Sequence, residues 1–350
     1  MPVPRVALAP GYEISRILKG GWQLAGGHGP VDRGAALADM AAFVDAGVTT
    51  FDCADIYTGV EVLIGEFLRT RRTRYGTGTA GLVQVHTKCV PDLDQLPSLT
   101  RQSVAAIVDR SLARLGVDAL DLVQLHWWDY RVAGYVQAAL WLDDLRRAGK
   151  VRHIGLTNFD TGRVREIVAA GVPVVSHQIQ YSVLDRRAEG GMTSLCRECG
   201  TGLLAYGVLA GGFLTDRWLG QPEPRERLEN RSLVKYRLII EEFGGWPRFQ
   251  ALLAVLDGIA RKHGSRIGTV ATRWVLDRPG VAGAIVGARH AGHLPDTLAA
   301  TRLDLDAEDE AQIAAVHADA PGPGGDVYEL ERMPGGRHAS IMRYNLHRLG

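Results

Sequence analysis

The chain is short of lysine, of cysteine and of any dominant charge. Five lysines, Lys19, Lys88, Lys150, Lys235 and Lys262, stand among 40 basic residues. Arginine therefore carries nearly all the positive charge, and each lysine is a marked position. With 39 acidic residues the formal net charge is +1, so nucleic acid and anionic membrane surfaces exert no electrostatic pull, and a small-molecule partner is expected. Four cysteines, Cys53, Cys89, Cys196 and Cys199, are too few for a disulfide scaffold in 350 residues. Cys196 and Cys199 have CxxC spacing but no second Cys/His pair to complete a zinc site, and no metal is expected. No run reaches the roughly 18 apolar residues of a membrane span, and the N-terminus lacks a charged region followed by an apolar one. A cytoplasmic protein is the expectation.

What is present is apolar pattern. Hydrophobic residues make up 46% of the chain, enough for a large core. Strand-like and helix-like segments alternate throughout: strands near Ile17, Val48, Leu82, Leu120, Val151, Val174, Gly202 and Val281, with amphipathic stretches between them. Eight such units in one chain predict a single (β/α)8 (TIM) barrel over residues 1–320. It carries extra helices, a long polar loop from Thr215 to Gly245 after the seventh strand, and a tail over 321–350. A doubly wound sheet is the alternative, but the GxGxxG at Gly76 to Gly81 precedes a strand and cannot aim a helix N-terminus at a pyrophosphate.

The strand ends carry the chemistry. Asp52 closes the second strand, Tyr57 follows one loop later, Lys88 closes the third strand and His126 the fourth. In a closed barrel all four meet at the carboxyl-end mouth. A buried ammonium needs a carboxylate, and an ammonium beside a phenol favours the phenolate. Lys88 is thus expected to lower the Tyr57 pKa, with Asp52 holding Lys88 and His126 orienting a carbonyl or sharing the proton path. That equipment protonates a carbonyl oxygen while a hydride arrives from a cofactor.

These residues, in the contexts TTFDCADIYTG, VHTKCVPD and LVQLHWWD, resemble the aldo-keto reductase superfamily from about Gly20 to Ala300. The same likeness includes GLTNFD at Gly155, SHQIQYS at Ser176, AYGVLAGGFLT at Ala205 and the segment from Arg273 onward. The resemblance implies a soluble NAD(P)(H)-dependent oxidoreductase interconverting an aldehyde or ketone with an alcohol, with Asp52, Tyr57, Lys88 and His126 as its catalytic tetrad. It implies that Thr157, Asn158 and Gln178 hold the nicotinamide carboxamide and that Tyr206 stacks on the ring. Gly21 and Trp22 belong to the coenzyme mouth, Leu209, Gly211, Leu214 and Thr215 to a pyrophosphate loop, and Gly287 to the adenosine side.

The adenosine segment departs from the family pattern, with His293 and Thr297 where Arg or Gln and then Asn are common. Arg289 is left to grip a 2′-phosphate, making NADP(H) the expected coenzyme and NAD(H) the alternative. Trp22, Trp127 and Trp128, with Trp218 or Trp246 from the long loop, are expected to line a pocket for a flat or apolar substrate. The tail is too apolar to be purely solvated and is expected to fold over the mouth or to join a homo-oligomer. Two other readings stand beside the enzyme: a coenzyme-binding regulatory subunit of the same fold with little turnover, and a CxxC thiol redox protein.

Overall fold

A strand buried on both faces needs apolar side chains in both directions, and the predicted strands supply them. The computed structural model describes residues 3–75, 83–225, 228–287 and 290–347. An antiparallel hairpin, β1 (Arg5–Ala9) and β2 (Tyr12–Ser15), comes first and was not foreseen. The barrel strands follow as β3 (Ile17–Gly20), β4 (Thr50–Asp52), β5 (Gln84–Cys89) and β6 (Leu120–Leu125). They continue as β7 (Val151–Thr157), β8 (Val174–Gln180), β9 (Gly202–Tyr206) and β10 (Val281–Gly287). Each pairs in parallel with the next, and β10 closes on β3. This is a (β/α)8 barrel. The GxGxxG segment lies outside the described residues.

The outer helices are α1 (Arg33–Asp45), α2 (Val60–Tyr75), α3 (Arg101–Leu115), α4 (Tyr135–Arg147), α5 (Thr161–Ala169) and α6 (Met192–Glu198). Then come α7 (Arg231–Glu242), α8 (Gly245–Lys262), α9 (Ile267–Leu276), α10 (Leu294–Ala299) and α11 (Ala307–Asp319). The α3 helix shows how local sequence sets these bounds. Thr100 and Ser103 cap one another's orphan donors at its start, and Gly116, at φ 65°, ends it in the left-handed region. Val104, Ile107, Val108 and Leu115 then bury one face.

The polar loop expected from Thr215 to Gly245 is corrected: its second half is α7, started by the Asn230 side chain and burying Tyr236, Leu238, Ile239 and Ile240. Arg237 among those apolar positions, and Glu241 and Glu242 directly after them, mask the period.

Inside the barrel the side chains stack in two regions. At the amino end, Leu18, Leu122, Leu204 and Ile285 pack with Leu8, Tyr12 and Ile14 of the hairpin, which plugs that end. Toward the carboxyl end the inward positions turn polar: Asp52, Lys88, Gln124 and Gln178 are all buried. A Cβ on Gly155 would lie 3.0 Å from Gln124 Cγ and 2.6 Å from Ser176 Oγ, so the glycine clears the room this layer occupies.

After α11 the chain runs over the carboxyl end of the barrel through two short helices, α12 (Glu329–Arg332) and α13 (Arg337–Ser340). Asp326 accepts from the backbone N–H and the hydroxyl of Thr161. Beyond α13, the His347 ring reaches Asp55 Oδ2 at 3.0 Å and Asp92 Oδ1 at 3.1 Å. Among the described residues no helix is long and apolar enough to cross a membrane.

Four buried histidines give the fold an acid signature. Burial pushes His86, His126 and His177 down to about 3 and His317 to about 4. Their native state stays neutral while the unfolded chain takes up protons below about pH 6.5, so stability falls with pH between about 6.5 and 4. Each contributes about 1.4 kcal/mol per pH unit in that window. His347, raised by its bond to Asp55, and Asp55, Asp121 and Asp160, raised by burial, act in the opposite sense, while Glu331, held down to about 2 against burial by Arg187 and Lys235, acts with the histidines. Calorimetric Tm should therefore drop on acidification, and His86→Gln, though less stable at neutral pH, should show a flatter dependence.

Candidate active site

The parity of the strands builds the centre of the site. Gly20 is in register with Asp52, Asp52 with His86, and Lys88 with Gln124. Lys88 Nζ donates to Asp52 Oδ2 at 2.9 Å, to Oδ1 at 3.1 Å and to the Cys53 carbonyl at 2.8 Å. Asp52 Oδ1 also accepts from Gln178 Nε2 at 2.6 Å and Gln124 Nε2 at 3.2 Å. Burial alone would lower the Lys88 pKa, but Asp52 and then Tyr57 outweigh it and hold it above the ordinary amine value.

Tyr57 is half-buried, its ring centroid 5.1 Å from Lys88 Nζ and 5.0 Å from that of Trp22. Here the sequence expectation is corrected. Burial raises the Tyr57 pKa more than Lys88 lowers it, so the phenol titrates above its ordinary value. Tyr57 is held as an acid at neutral pH.

His126 is buried at the end of β6. Its Nδ1 lies 3.2 Å from the Thr157 carbonyl, which only accepts, so the proton is on Nδ1. Burial, then Arg332, Lys88 and Lys235, push the ring down to about 3 against the pull of that carbonyl. Neutral His126 thus presents Nε2 as an acceptor, and this buried atom has no partner among the described residues. The rings of Trp128, at 4.2 Å, and Tyr328, at 5.8 Å, meet it edge-on.

Around this centre the structure gathers some expected residues and leaves others apart. The Tyr206 hydroxyl donates to Asn158 Oδ1 at 2.8 Å, and Asn158 sits at φ 61°. Trp22 donates from Nε1 to Ser232 Oγ at 3.0 Å. Gly21 donates to the Asp52 carbonyl at 2.7 Å, and the Gln23 amide lies where a Cβ on Gly287 would be. Asn158, Gln178, Tyr206 and Trp22 therefore share the mouth with Tyr57 and His126. Amide groups beside an aromatic ring and an unpartnered buried acceptor fit a nicotinamide.

The Leu209 to Thr215 loop lies against α7. The N–H groups of Gly212, Leu214 and Thr215 bond to carbonyls inside the loop, and Leu214 is fully buried. A Cβ on Gly207 or Gly211 would strike the Tyr236 ring of α7. The small residues make room for the packing of α7 on this loop. Arg289 lies outside the described residues. His293 falls in a short turn before α10, and the exposed Thr297 hydroxyl donates back to the His293 carbonyl.

Of the tryptophans, Trp128 lies against His126, but Trp127 is corrected: its Nε1 donates to the Asp129 and Val132 carbonyls and its ring packs near Tyr135 of α4. Trp218 and Trp246 form a separate cluster with Phe213 and Phe249. Cys196 is buried, its thiol pushed up to about 12 by burial and then by Cys199, which is the reverse of a redox nucleophile.

Residues that the sequence reading missed complete the site. Gln124, two positions before His126, shares its inward face and was open to a parity argument. Lys235 is one of the five lysines; its Nζ lies 3.4 Å from the Tyr206 hydroxyl and 5.3 Å from the Tyr328 ring centroid. Burial lowers its pKa, while Glu331 opposes that. Tyr328, Glu331 and Arg332 of the tail carry no sequence signal beyond the tail's apolar and aromatic content.

The chain is similar in sequence and in fold to known proteins. Flagellar radial spoke protein 5 of Chlamydomonas reinhardtii is 32% identical over 301 residues, covering 69% of this chain and 56% of that one. The chain thus spans little more than half the length of that relative. Aldo-keto reductase YhdN of Bacillus subtilis is 29% identical over 314 residues, covering 87% and 91%. The solved glycerol dehydrogenase of Gluconobacter oxydans superposes with a TM-score of 0.75 at 23% identity, over 90% of this chain and 95% of that one, a likeness of fold. The family model of the aldo/keto reductase family matches residues 16–318. With that match over most of its length, the chain belongs to the aldo/keto reductase family.

Proposed function

We propose that the protein interconverts a carbonyl and an alcohol by hydride transfer, with Tyr57 as the group that gives and takes the proton. The observation that carries this reading is the buried Asp52–Lys88 pair set under the Tyr57 ring, beside the unpartnered Nε2 of His126. A nicotinamide coenzyme, when bound, would supply or accept the hydride. Asn158, Gln178 and Tyr206 would hold its nicotinamide end.

The rest of the chemistry belongs to the chain. Tyr57, kept protonated, donates to the carbonyl oxygen in reduction, while Lys88 stabilises the phenolate left behind. Asp52 keeps Lys88 charged, and Gln124 and Gln178 fix the carboxylate. His126 Nε2 is an acceptor, so it accepts a hydrogen bond from a hydroxyl and does not grip a carbonyl; it orients the alcohol. Trp22, Trp128 and Tyr328 give the mouth aromatic walls for an apolar or flat substrate. The alternative, a coenzyme-binding subunit with little turnover, draws on the similarity to the radial spoke protein, and the same experiment separates the two.

In coenzyme consumption by the purified protein over a panel of aldehydes, ketones and alcohols, Tyr57→Phe should lose about 10² to 10⁴ of turnover while retaining coenzyme affinity. Coenzyme binding without turnover across the wild-type panel would favour the binding subunit.

The pH dependence follows from the raised Tyr57. Reduction should be flat from about pH 6 to 9, because the acid form persists, whereas alcohol oxidation, which needs the phenolate, should climb over the same range. A reduction rate that fell through neutrality would contradict the assignment of Tyr57.

Coenzyme preference sets two charges against each other. Arg289 favours a 2′-phosphate, whereas the Asp39 carboxylate, which accepts from Ala291 N at 2.9 Å and lies 3.9 Å from His290 Nδ1, disfavours one. The proposal is NADP(H) through Arg289, with NAD(H) as the alternative. Arg289→Ala should lower the NADPH to NADH ratio of kcat/KM by about tenfold, and Asp39→Asn should raise it.

A further inference from the structure

The β6–β7 ladder ends at Leu125 and Leu156. Beyond it the two chains part: one enters the loop after His126, the other turns through Asn158 at φ 61°. Parted strands leave carbonyls without ladder partners, and buried carbonyls need donors. Arg332 of the tail provides them. Its Nη1 donates to the Asn158 carbonyl at 2.7 Å and its Nη2 to the Trp127 carbonyl at 2.6 Å. These carbonyls belong to the residues immediately after Thr157 and His126, the two partners of the Nδ1 hydrogen bond. The guanidinium thus extends the pairing of β6 and β7 past the last ladder residues and across the His126–Thr157 contact.

The guanidinium is itself held firmly. It lies over the Tyr130 ring at 4.2 Å and the Tyr328 ring at 4.9 Å, and it makes no ion pair among the described residues. Its neighbour Glu331 is buried and gripped by Arg187 at 2.9 and 3.2 Å. Arg187 in turn holds Asp185 at 2.9 and 2.7 Å, and Lys235 stands 3.6 Å from Glu331. Two successive tail residues therefore dock differently, Glu331 into a buried charge network and Arg332 onto the backbone of the catalytic strands. A guanidinium joined to two carbonyls is a planar fork used for geometry, which lysine does not reproduce.

We infer that Arg332 is a positioning residue of the active site, brought in by the tail to fix the His126 ring and the Asn158 turn relative to each other. The inference rests on the reading of His126 as the acceptor that orients the substrate hydroxyl. Lys88 of β5, Lys235 of α7 and Arg332 itself are the cations that act on the ring; the Thr157 carbonyl, Trp128 and Tyr328 are its neutral neighbours. Removing Arg332 frees the ring to rotate and takes away one of the three positive charges that disfavour its protonation.

The test compares wild type, Arg332→Ala and Arg332→Lys, with folding checked by circular dichroism and Tm. Arg332→Ala should keep coenzyme affinity within about twofold and lose roughly 10² in kcat, the cost of misplacing a reacting group. Millimolar guanidinium ion should restore part of the loss, and Arg332→Lys, which keeps the charge without the fork, should remain well below wild type. Histidine ¹⁵N NMR reads the same point without turnover. The wild-type His126 ring should stay in the Nδ1–H form from about pH 5 to 8, whereas in Arg332→Ala it should mix tautomers. If the wild type has no turnover at all, the function reading fails and the NMR comparison still decides the role of Arg332. Unchanged kcat and unchanged ring behaviour in Arg332→Ala would overturn the inference, as would a loss of kcat that guanidinium does not restore and that leaves the His126 ring unaltered. Should Arg332→Ala not fold, Arg332→Lys carries the same NMR and kcat comparison.

Discussion

Everything at the mouth depends on keeping one ammonium charged inside a barrel. Lys88 is buried to 6% exposure, where desolvation alone would drive it neutral. Asp52 prevents this, and its carboxylate is fixed in turn by two glutamine amides and by the closure of the strands that carry them. Removing either member of such a pair leaves an unpaired buried charge, a cost of about 3–5 kcal/mol. The pair is therefore poor insurance for stability and strong specification for chemistry: it places a fixed positive charge under a phenol and nowhere else. The protein tolerates it because the hairpin plug and the apolar shell supply stability elsewhere.

The second constraint is that a barrel mouth is open unless something covers it. Here α7 and the tail do so together. Tyr236 fills the space above Gly207 and Gly211, Ser232 receives the Trp22 indole, and Lys235 reaches Tyr206, so one helix sets the roof over the aromatic side. The tail closes the other side through Tyr328, Glu331 and Arg332, and farther on sets His347 between Asp55 and Asp92. Both covers are tied by buried charges and by bonds to backbone carbonyls, which makes them part of the site's geometry.

These two covers were the least legible parts of the sequence. The helical period of α7 is weakened by Arg237 and Glu241, which face outward, and by the polar stretch before Asn230. The tail's binding residues are scattered at 328, 331, 332 and 347 and touch partners more than 100 positions away, so no local pattern marks them. Trp127 and Trp128 show the same limit at close range. Adjacent residues leaving a strand point to opposite sides, and which one meets His126 depends on where the following loop turns. The direction of the Tyr57 shift was misjudged for a related reason: charge pairing is visible in residue types, whereas depth of burial is a property of the assembled barrel.

The sequence by itself determined the alternation of eight strands and helices, hence the barrel, and placed Asp52, Lys88 and His126 at strand ends and Tyr57 one loop on, because these follow from period and chain order. The tertiary structure alone decided which proton His126 carries, that burial outweighs Lys88 at Tyr57, that the Leu209 to Thr215 loop bonds within itself, and that Arg332 reaches back to the ends of β6 and β7. Each of these is set by desolvation or by contacts across long stretches of chain, and neither quantity has a period that a linear sequence displays.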